Sequence, residues 1–263
     1  MIVSKAAIII PARMASSRYP NKPFAKIKGH TMIERVWRIA KAVPTATAVW
    51  IATDCLELAG FVKQFGAEVI MTPSNCATGT DRVAEACKLL PDSYDVIFSL
   101  QGDAVLTPPW VINDVLDAML KDRNIKMATP AVLLKEKALE NYIEHKKSGS
   151  STGTTVTFDK HQNALYFSKA LIPFARTVDE NYTVYRHIGL YAYRPDTLNQ
   201  LLELPMSQFE KIEQLEQLRA LENNIPIKVV IVDYQGRTHG SVDRPEDVAI
   251  VEHIIQTEGE LVL

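Results

Sequence analysis

The chain has 263 residues, 47% of them hydrophobic and 23% charged, enough to bury a full core as one large domain or two small ones. A formal net charge of -2 excludes a protein that coats nucleic acid or a membrane surface through bulk charge, so any anion it binds must be met by a local cluster of cations. The three cysteines, Cys55, Cys76 and Cys87, are odd in number and lack metal-type spacing, which argues against a disulfide framework or a zinc site and leaves reduced thiols with no special task.

The opening "MIVSKAAIII" has an apolar run too short for a leader peptide or a bilayer span, and a cytoplasmic enzyme is the expectation. From there "AAIIIPA", "AVWIATD", "AEVIMT" and "YDVIFSLQGD" read as strands, because each is a short continuous apolar run. Between them "MIERVWRIAKAV", "LELAGFVKQFG" and "DRVAEACKLL" carry helical periodicity, and "PWVINDVLDAML" does so after the last. That alternation predicts an α/β fold of the doubly wound kind, with a mostly parallel sheet covered on both faces. The loops after Ile10, Thr53, Met71 and Leu100 should then share one rim, where ligands of such sheets bind.

From about residue 126 to residue 194 short strands with turn residues replace the alternation ("MATPAVLL", "TGTTVTFD", "NALYFS", "RHIGLYAYR") and predict an antiparallel insertion within a single domain spanning 1–263. "HKKSGSSTGTT" is the one flexible-looking stretch. Helical periodicity returns in "SQFEKIEQLEQLRALENN", with Phe209, Ile212, Leu215, Leu218 and Leu221 at three-residue steps along one broad face. A strand "IPIKVVIVD" and a terminal helix from Pro245 complete the reading.

The loop after the first strand contains neither GxGxxG nor GxxxxGK[ST], so it is neither a dinucleotide fingerprint nor a P-loop. It is a different phosphate device. Ala12, Ala15, Ser16 and Ser17 are small enough for the backbone to approach a ligand, while Arg13 and Lys22 bring the charge a triphosphate needs. Asp103, in "SLQGDAV", follows a hydrophobic strand onto the ligand rim and reads as a turn residue or a metal ligand. Asp243, in "GSVDRPEDV", reads as a helix cap, a role Ser241 could also fill, or as a second ligand. Two carboxylates beside a cationic loop suit a magnesium–triphosphate site, since Mg²⁺ takes one or two carboxylates plus phosphate oxygens.

The stretch "IIIPARMASSRYPNKP" resembles the P-A-R-x-x-S-[ST]-R-x-P-x-K-P signature of the CMP-Kdo synthetases, the 3-deoxy-manno-octulosonate cytidylyltransferases. The resemblance runs almost the whole chain through "IATD", "MTPSNCATGTDRVAEA", "QGD", "NALYFSKALIPF", "RHIGLYAYR", "EKIEQLEQLRAL" and "VDRPEDV", in the family's order. It implies an enzyme that joins CTP to an acidic 2-keto sugar, releases pyrophosphate and leaves a CMP-sugar, for lipopolysaccharide or capsule synthesis. By resemblance Arg13, Lys22 and Asp103 are catalytic. Pro11, Ala12, Arg13, Ser16, Lys22, Ala77, Thr78, Asp81, Arg82 and Gln101 face the nucleotide. Gln101, Lys169, His187, Tyr191, Glu216 and Gln217 line the sugar pocket, though on their own residues His187 reads equally as a core histidine and Glu216 and Gln217 as a solvated helix face. Asp103 and Asp243 bind Mg²⁺ as the cofactor. The resemblance also implies a homodimer, with the insertion forming both sugar pocket and subunit interface, and no nucleic-acid or membrane partner.

Four positions depart from the family pattern. Ala104 and Val105 replace the Glu-Pro that usually follows "QGD", Lys169 replaces the Arg of "YFSRA", and Thr155 replaces a lysine. Lys offers a point charge where Arg offers a planar fork, so an acid is gripped differently. The 8-amino form of Kdo or another ulosonic (sialic-type) acid is the alternative substrate, and a noncatalytic CTP-binding homologue is the alternative of another class. A sugar 1-phosphate enzyme is disfavoured, because "PARMASSRYP" is not a Gly-rich opening loop.

Overall fold

The computed structural model describes residues 4–14, 18–91, 93–149, 151–177 and 182–262. The chain divides into two compact units, Met1–Lys121 together with Tyr234–Leu263, and Asp122–Asp233.

In the first unit β1 (Ala6–Pro11) is buried along its whole length, as a strand covered on both faces should be. A small hairpin of β2 (Lys26–Ile27) and β3 (His30–Thr31) leads into α1 (Met32–Lys41). Thr31 caps that helix by accepting the Glu34 N–H, and Met32, Ile33, Val36 and Ile39 bury its apolar face at helical spacing. β4 (Ala48–Thr53), α2 (Leu56–Lys63), β5 (Glu68–Met71), α3 (Gly79–Lys88), β6 (Val96–Ser99) and α4 (Pro109–Lys121) follow in the predicted alternation. The strands lie in the order β5-β4-β1-β6, and each neighbouring pair is parallel. From β1 the chain steps outward through β4 and β5, then returns to β6 on the other side of β1. The strand order therefore reverses at β1 and β6, which opens a crevice at the carboxyl ends of those two strands.

Arg35 ties this unit together. It is buried on α1, donates Nε–H to the Ile27 carbonyl at 2.7 Å, and forks onto Glu260 at 2.8 and 3.2 Å, just beyond the helix Asp247–Glu258. The three cysteines are free thiols, and burial pushes those of Cys76 and Cys87 up, in keeping with inert side chains.

In the second unit β7 (Met127–Leu134) is followed by α5 (Glu136–Lys147), β8 (Thr154–Phe158), β9 (Ala164–Ser168), β10 (Val184–His187) and β11 (Tyr191–Tyr193). β7 pairs antiparallel with β10 and β11 and parallel with β12 (Ile227–Ile231), while β10 pairs with β8 and β8 with β9. Helix α5 is a correction to the all-strand expectation for residues 126–194. Only Tyr142 of its residues is buried, with Leu139 packed beside it on the Leu134–Val184 cluster, so its apolar signal is thin. "RHIGLYAYR" is two strands, because the chain turns between His187 and Tyr191.

The long helix expected after Ser207 is also corrected. Following α6 (Pro195–Glu203), it breaks into α7 (Gln208–Glu213) and α8 (Gln217–Glu222), with Gln214 between them in the left-handed region at φ 54°. Leu215 and Leu218 are buried, whereas Phe209 and Ile212 are exposed, so the supposed single stripe is two faces of two short helices. No helix among the described residues is long and apolar enough to cross a membrane.

The Arg35 fork holds the Glu260 carboxyl below its usual range, chiefly through the hydrogen bond itself. Its contribution is therefore present above the ordinary glutamate pKa and lost as pH falls through the lowered value. Glu260→Gln is expected to lower the unfolding free energy by about 1–2 kcal/mol at neutral pH. In urea titrations the gap between wild type and variant should close toward acid.

Candidate active site

A cavity of about 200 Å³ lies at the β1/β6 reversal point, lined by the loop after β1, the loop after β6 and the start of α3. The first loop contributes Pro11, Ala12, Arg13, Arg18, Lys22 and Pro23, and the second contributes Gln101, Gly102 and Asp103. Thr78, Gly79 and Arg82 come from the helix. The loops are pressed close together: a Cβ on Gly102 would lie 3.0 Å from the Pro11 carbonyl oxygen, and one on Gly79 3.3 Å from Gln101 Oε1. Glycine at both places lets the backbones approach.

Lys22 begins a 3₁₀ turn, Lys22–Phe24, entered through Asn21 at φ 57° and stiffened by Pro23. Its Nζ lies 2.5 Å from Asp103 Oδ2 and 4.0 Å from Asp243 Oδ1, and Arg18 reaches the same Asp243 oxygen at 3.2 Å. Asp243 is therefore not spent as a helix cap. Asp247, the first residue of the terminal helix, accepts the backbone N–H groups of Asp243 and Arg244 at 2.7 and 2.8 Å and so holds the segment that carries Asp243. Two carboxylates from distant parts of the chain thus share one cation position.

That arrangement fits a divalent metal. No cluster of three or more metal-binding side chains exists among the described residues, so the protein offers two carboxylates and leaves the remaining positions to phosphate and water. Asp103 and Asp243 are the residues that would hold it.

Arg82 is buried at the cavity wall, where it donates to Thr72 Oγ1 at 2.6 Å and pairs with Asp54 at 3.3 Å. These bonds tie together the loops after β4 and β5. Asp81 closes a capping box with Thr78 at the start of α3, at 2.8 and 3.1 Å, so its carboxylate serves the helix. Ala77 is exposed just before that cap. Ser16, with Ala15 and Ser17, lies outside the described residues. Arg18 and Asp247 are the site residues the sequence reading passed over. Arg18 stands inside the quoted signature itself, whereas Asp247 gave no signal beyond its place four residues after Asp243.

In the second unit His187 is buried against Phe167 and Tyr191, with ring centroids 4.9 and 5.6 Å away. Thr129 Oγ1 donates to the Leu190 carbonyl at 2.8 Å, so it accepts from His187 Nε2, also at 2.8 Å. Burial, with the charge of Glu216 adding, pushes the Tyr191 hydroxyl well above its ordinary value. Tyr191 is consequently a neutral hydrogen-bonding group and not a base. Gln217 is buried with its Nε2 lacking a hydrogen-bond partner among the described residues.

A sequence model of the cytidylyltransferase family matches residues 7–229. The chain belongs to the cytidylyltransferase family. A 3-deoxy-manno-octulosonate cytidylyltransferase of Maricaulis maris is 50% identical over 254 residues, 97% of this chain and 98% of that protein. An 8-amino-3,8-dideoxy-manno-octulosonate cytidylyltransferase of Shewanella pealeana is 40% identical over 247 residues, 93% of this chain and 96% of that one. Among solved structures, a CMP:2-keto-3-deoxy-manno-octonic acid synthetase complexed with CTP superposes with TM-score 0.86 at 33% identity, covering 97% of this chain and all of that one. A 4-diphosphocytidyl-2C-methyl-D-erythritol synthase from Anaerococcus prevotii shares the fold at TM-score 0.62 and 12% identity.

The departures from the family pattern have definite places in this cytidylyltransferase. Ala104 and Val105 are buried in the turn after Asp103, where the Val105 N–H donates to the Asp103 carbonyl at 2.9 Å. Thr155, on β8, pins the loop after β9 that carries Lys169. Thr155 Oγ1 donates to the Ala170 carbonyl at 2.7 Å and accepts from the Ile172 N–H at 3.2 Å. The Lys169 N–H donates to Glu213 at 2.8 Å, and the Lys169 carbonyl accepts from Lys146 Nζ at 2.6 Å. The Lys169 side chain faces an apolar cavity of about 610 Å³ shared with Lys146, Leu171, Phe174 and Tyr182.

Thr155 is fully buried, so Thr155→Val leaves two backbone groups without partners and is expected to cost about 1–3 kcal/mol. Thr155→Ser should restore most of that loss, measured as the shift in urea midpoint at unchanged slope.

Proposed function

We propose that the protein joins CTP to 3-deoxy-manno-octulosonate, giving the CMP-sugar and pyrophosphate. The observation that carries this reading is the meeting of Arg13, Arg18 and Lys22 with Asp103 and Asp243 at the β1/β6 crevice. It sits in a chain half identical, over nearly its full length, to a relative that bears that name.

The small residues Pro11 and Ala12 bring the backbone against the triphosphate, and the three cations of the loop hold it and spread the charge that gathers on the leaving pyrophosphate. The anomeric hydroxyl oxygen attacks the α-phosphorus, the bond from that phosphorus to the pyrophosphate oxygen breaks, and the hydroxyl proton passes to solvent. Asp103 and Asp243 would hold Mg²⁺, which when bound would supply Lewis-acid neutralisation of the phosphate oxygens. His187, Tyr191, Glu216 and Gln217 offer the mixed donors and acceptors that a polyhydroxylated acid needs. Tyr191 contributes as a donor that keeps its proton.

The 8-amino form of the sugar is the second reading, supported by the 40% identical relative and by the exchanges at Thr155 and Lys169. The same proposal makes the enzyme a cytoplasmic homodimer serving lipopolysaccharide synthesis. The exposed Leu165 and Phe174 of the second unit support the dimer, as apolar surface that a partner would cover.

Pyrophosphate release with CTP, Mg²⁺ and either sugar decides between the two, and a preference for the octulosonate is expected. Asp103→Asn and Asp243→Asn should each reduce turnover at least about a hundred-fold with the fold intact by circular dichroism. Near-normal rates in either variant would remove the metal assignment, and no pyrophosphate with either sugar would remove the reaction.

A further inference from the structure

The carboxylates of Asp103 and Asp243 are both reached by one ammonium, that of Lys22. Its ammonium is 2.5 Å from one carboxylate and 4.0 Å from the other, on a side chain only 16% exposed, so solvent screens these contacts weakly. Arg18 adds a second positive charge at Asp243, but at 65% exposure it is the lesser partner. The two negative charges are thus already matched by two positive ones, and Arg13 on the same cavity wall leaves the site net positive. A divalent cation arriving alone would have to displace the ammonium and then sit among the remaining cations.

A triphosphate changes that balance. It brings several negative charges to the same loop and gives Lys22 and Arg18 a stronger partner than either aspartate. The base of Lys22 is fixed by the 3₁₀ turn, where the Ala25 N–H donates to the Lys22 carbonyl at 3.0 Å and Phe24 packs on Phe61 at 5.0 Å. Its four-carbon stem has several rotatable bonds, and an ammonium is a point charge with no fixed fork to realign. The Val242 N–H donates to the Asp103 carbonyl at 3.4 Å, which keeps the two carboxylates together while their counter-ion changes.

We propose that Lys22 is an exchangeable counter-ion: it occupies the metal position in the free enzyme and surrenders it only when the triphosphate arrives. Metal binding is thereby conditional on nucleotide. This rests on the reading of the cavity as a metal–CTP site.

The test is equilibrium binding of Mn²⁺, followed by electron paramagnetic resonance, to the full chain with and without CTP and with no sugar present, so that no turnover occurs. Wild type should bind Mn²⁺ weakly alone and at least about ten-fold more tightly with CTP, the factor expected for a coupling between two ligands. Lys22→Met should bind Mn²⁺ alone at least about ten-fold more tightly than wild type and lose most of the CTP-dependent gain. Lys22→Arg, which keeps the charge, should stay close to wild type without CTP and guards against a folding artefact. Equal Mn²⁺ affinity of wild type and Lys22→Met without CTP overturns the proposal even where CTP binds normally. Failure of wild type to bind CTP with Mn²⁺ instead overturns the functional reading, and the proposal falls with it.

Discussion

Two carboxylates held near one another at the mouth of a sheet repel unless a cation stands between them, and that constraint organises the first unit. Asp103 comes from the turn after β6 and Asp243 from a segment that returns more than a hundred residues later. Lys22 bridges them from the loop after β1. Each of the three is held by backbone features that give it little freedom. These are the glycine contact of the Asp103 turn with Pro11, the Asp247 bonds beneath Asp243, and the proline-stiffened turn under Lys22. This three-residue constellation is assembled mainly by loops, but by loops anchored on rigid elements.

The sheet explains why those loops meet. Parallel strands put all their carboxyl ends on one edge, and the reversal of order at β1 and β6 separates the helices that follow them. A ligand entering there faces backbone from β1, the start of α3 and the turn after β6 together. Arg82 lines the same cavity with its guanidinium bonded to Thr72 and Asp54, and so ties the cavity wall to the loops after β4 and β5, beside Arg13, Arg18 and Lys22.

Much of the first unit was legible in the sequence because its strands are continuous apolar runs and its active loops follow directly from their ends. Asp103 and Lys22 could be placed on one rim from that pattern. Their direct bond could not, since nothing in local sequence says which of several cations reaches which carboxylate. Arg18 was hidden by its neighbours in the signature, and the Asp81 carboxylate closes a cap with Thr78. In the second unit the signal was weaker. Helix α5 buries Tyr142 and little else, so its periodicity was overlooked, and three-residue apolar steps concealed the break at Gln214. His187 and Tyr191 share a buried cluster through a turn at Gly189 that the run "RHIGLYAYR" does not announce.

The exchanges that set this chain apart lie in the second unit and act through backbone: Thr155 pins the loop that carries Lys169, and Glu213 and Lys146 hold that residue's peptide groups. The account of the chemistry stands apart from them, on the shared cation position. A crystal structure with CTP and Mn²⁺, read by anomalous scattering, tests it most directly. The account predicts one manganese peak between Asp103 and Asp243, with Lys22 Nζ moved onto a phosphate oxygen. Manganese elsewhere, with Lys22 still on Asp103 beside bound CTP, would contradict it.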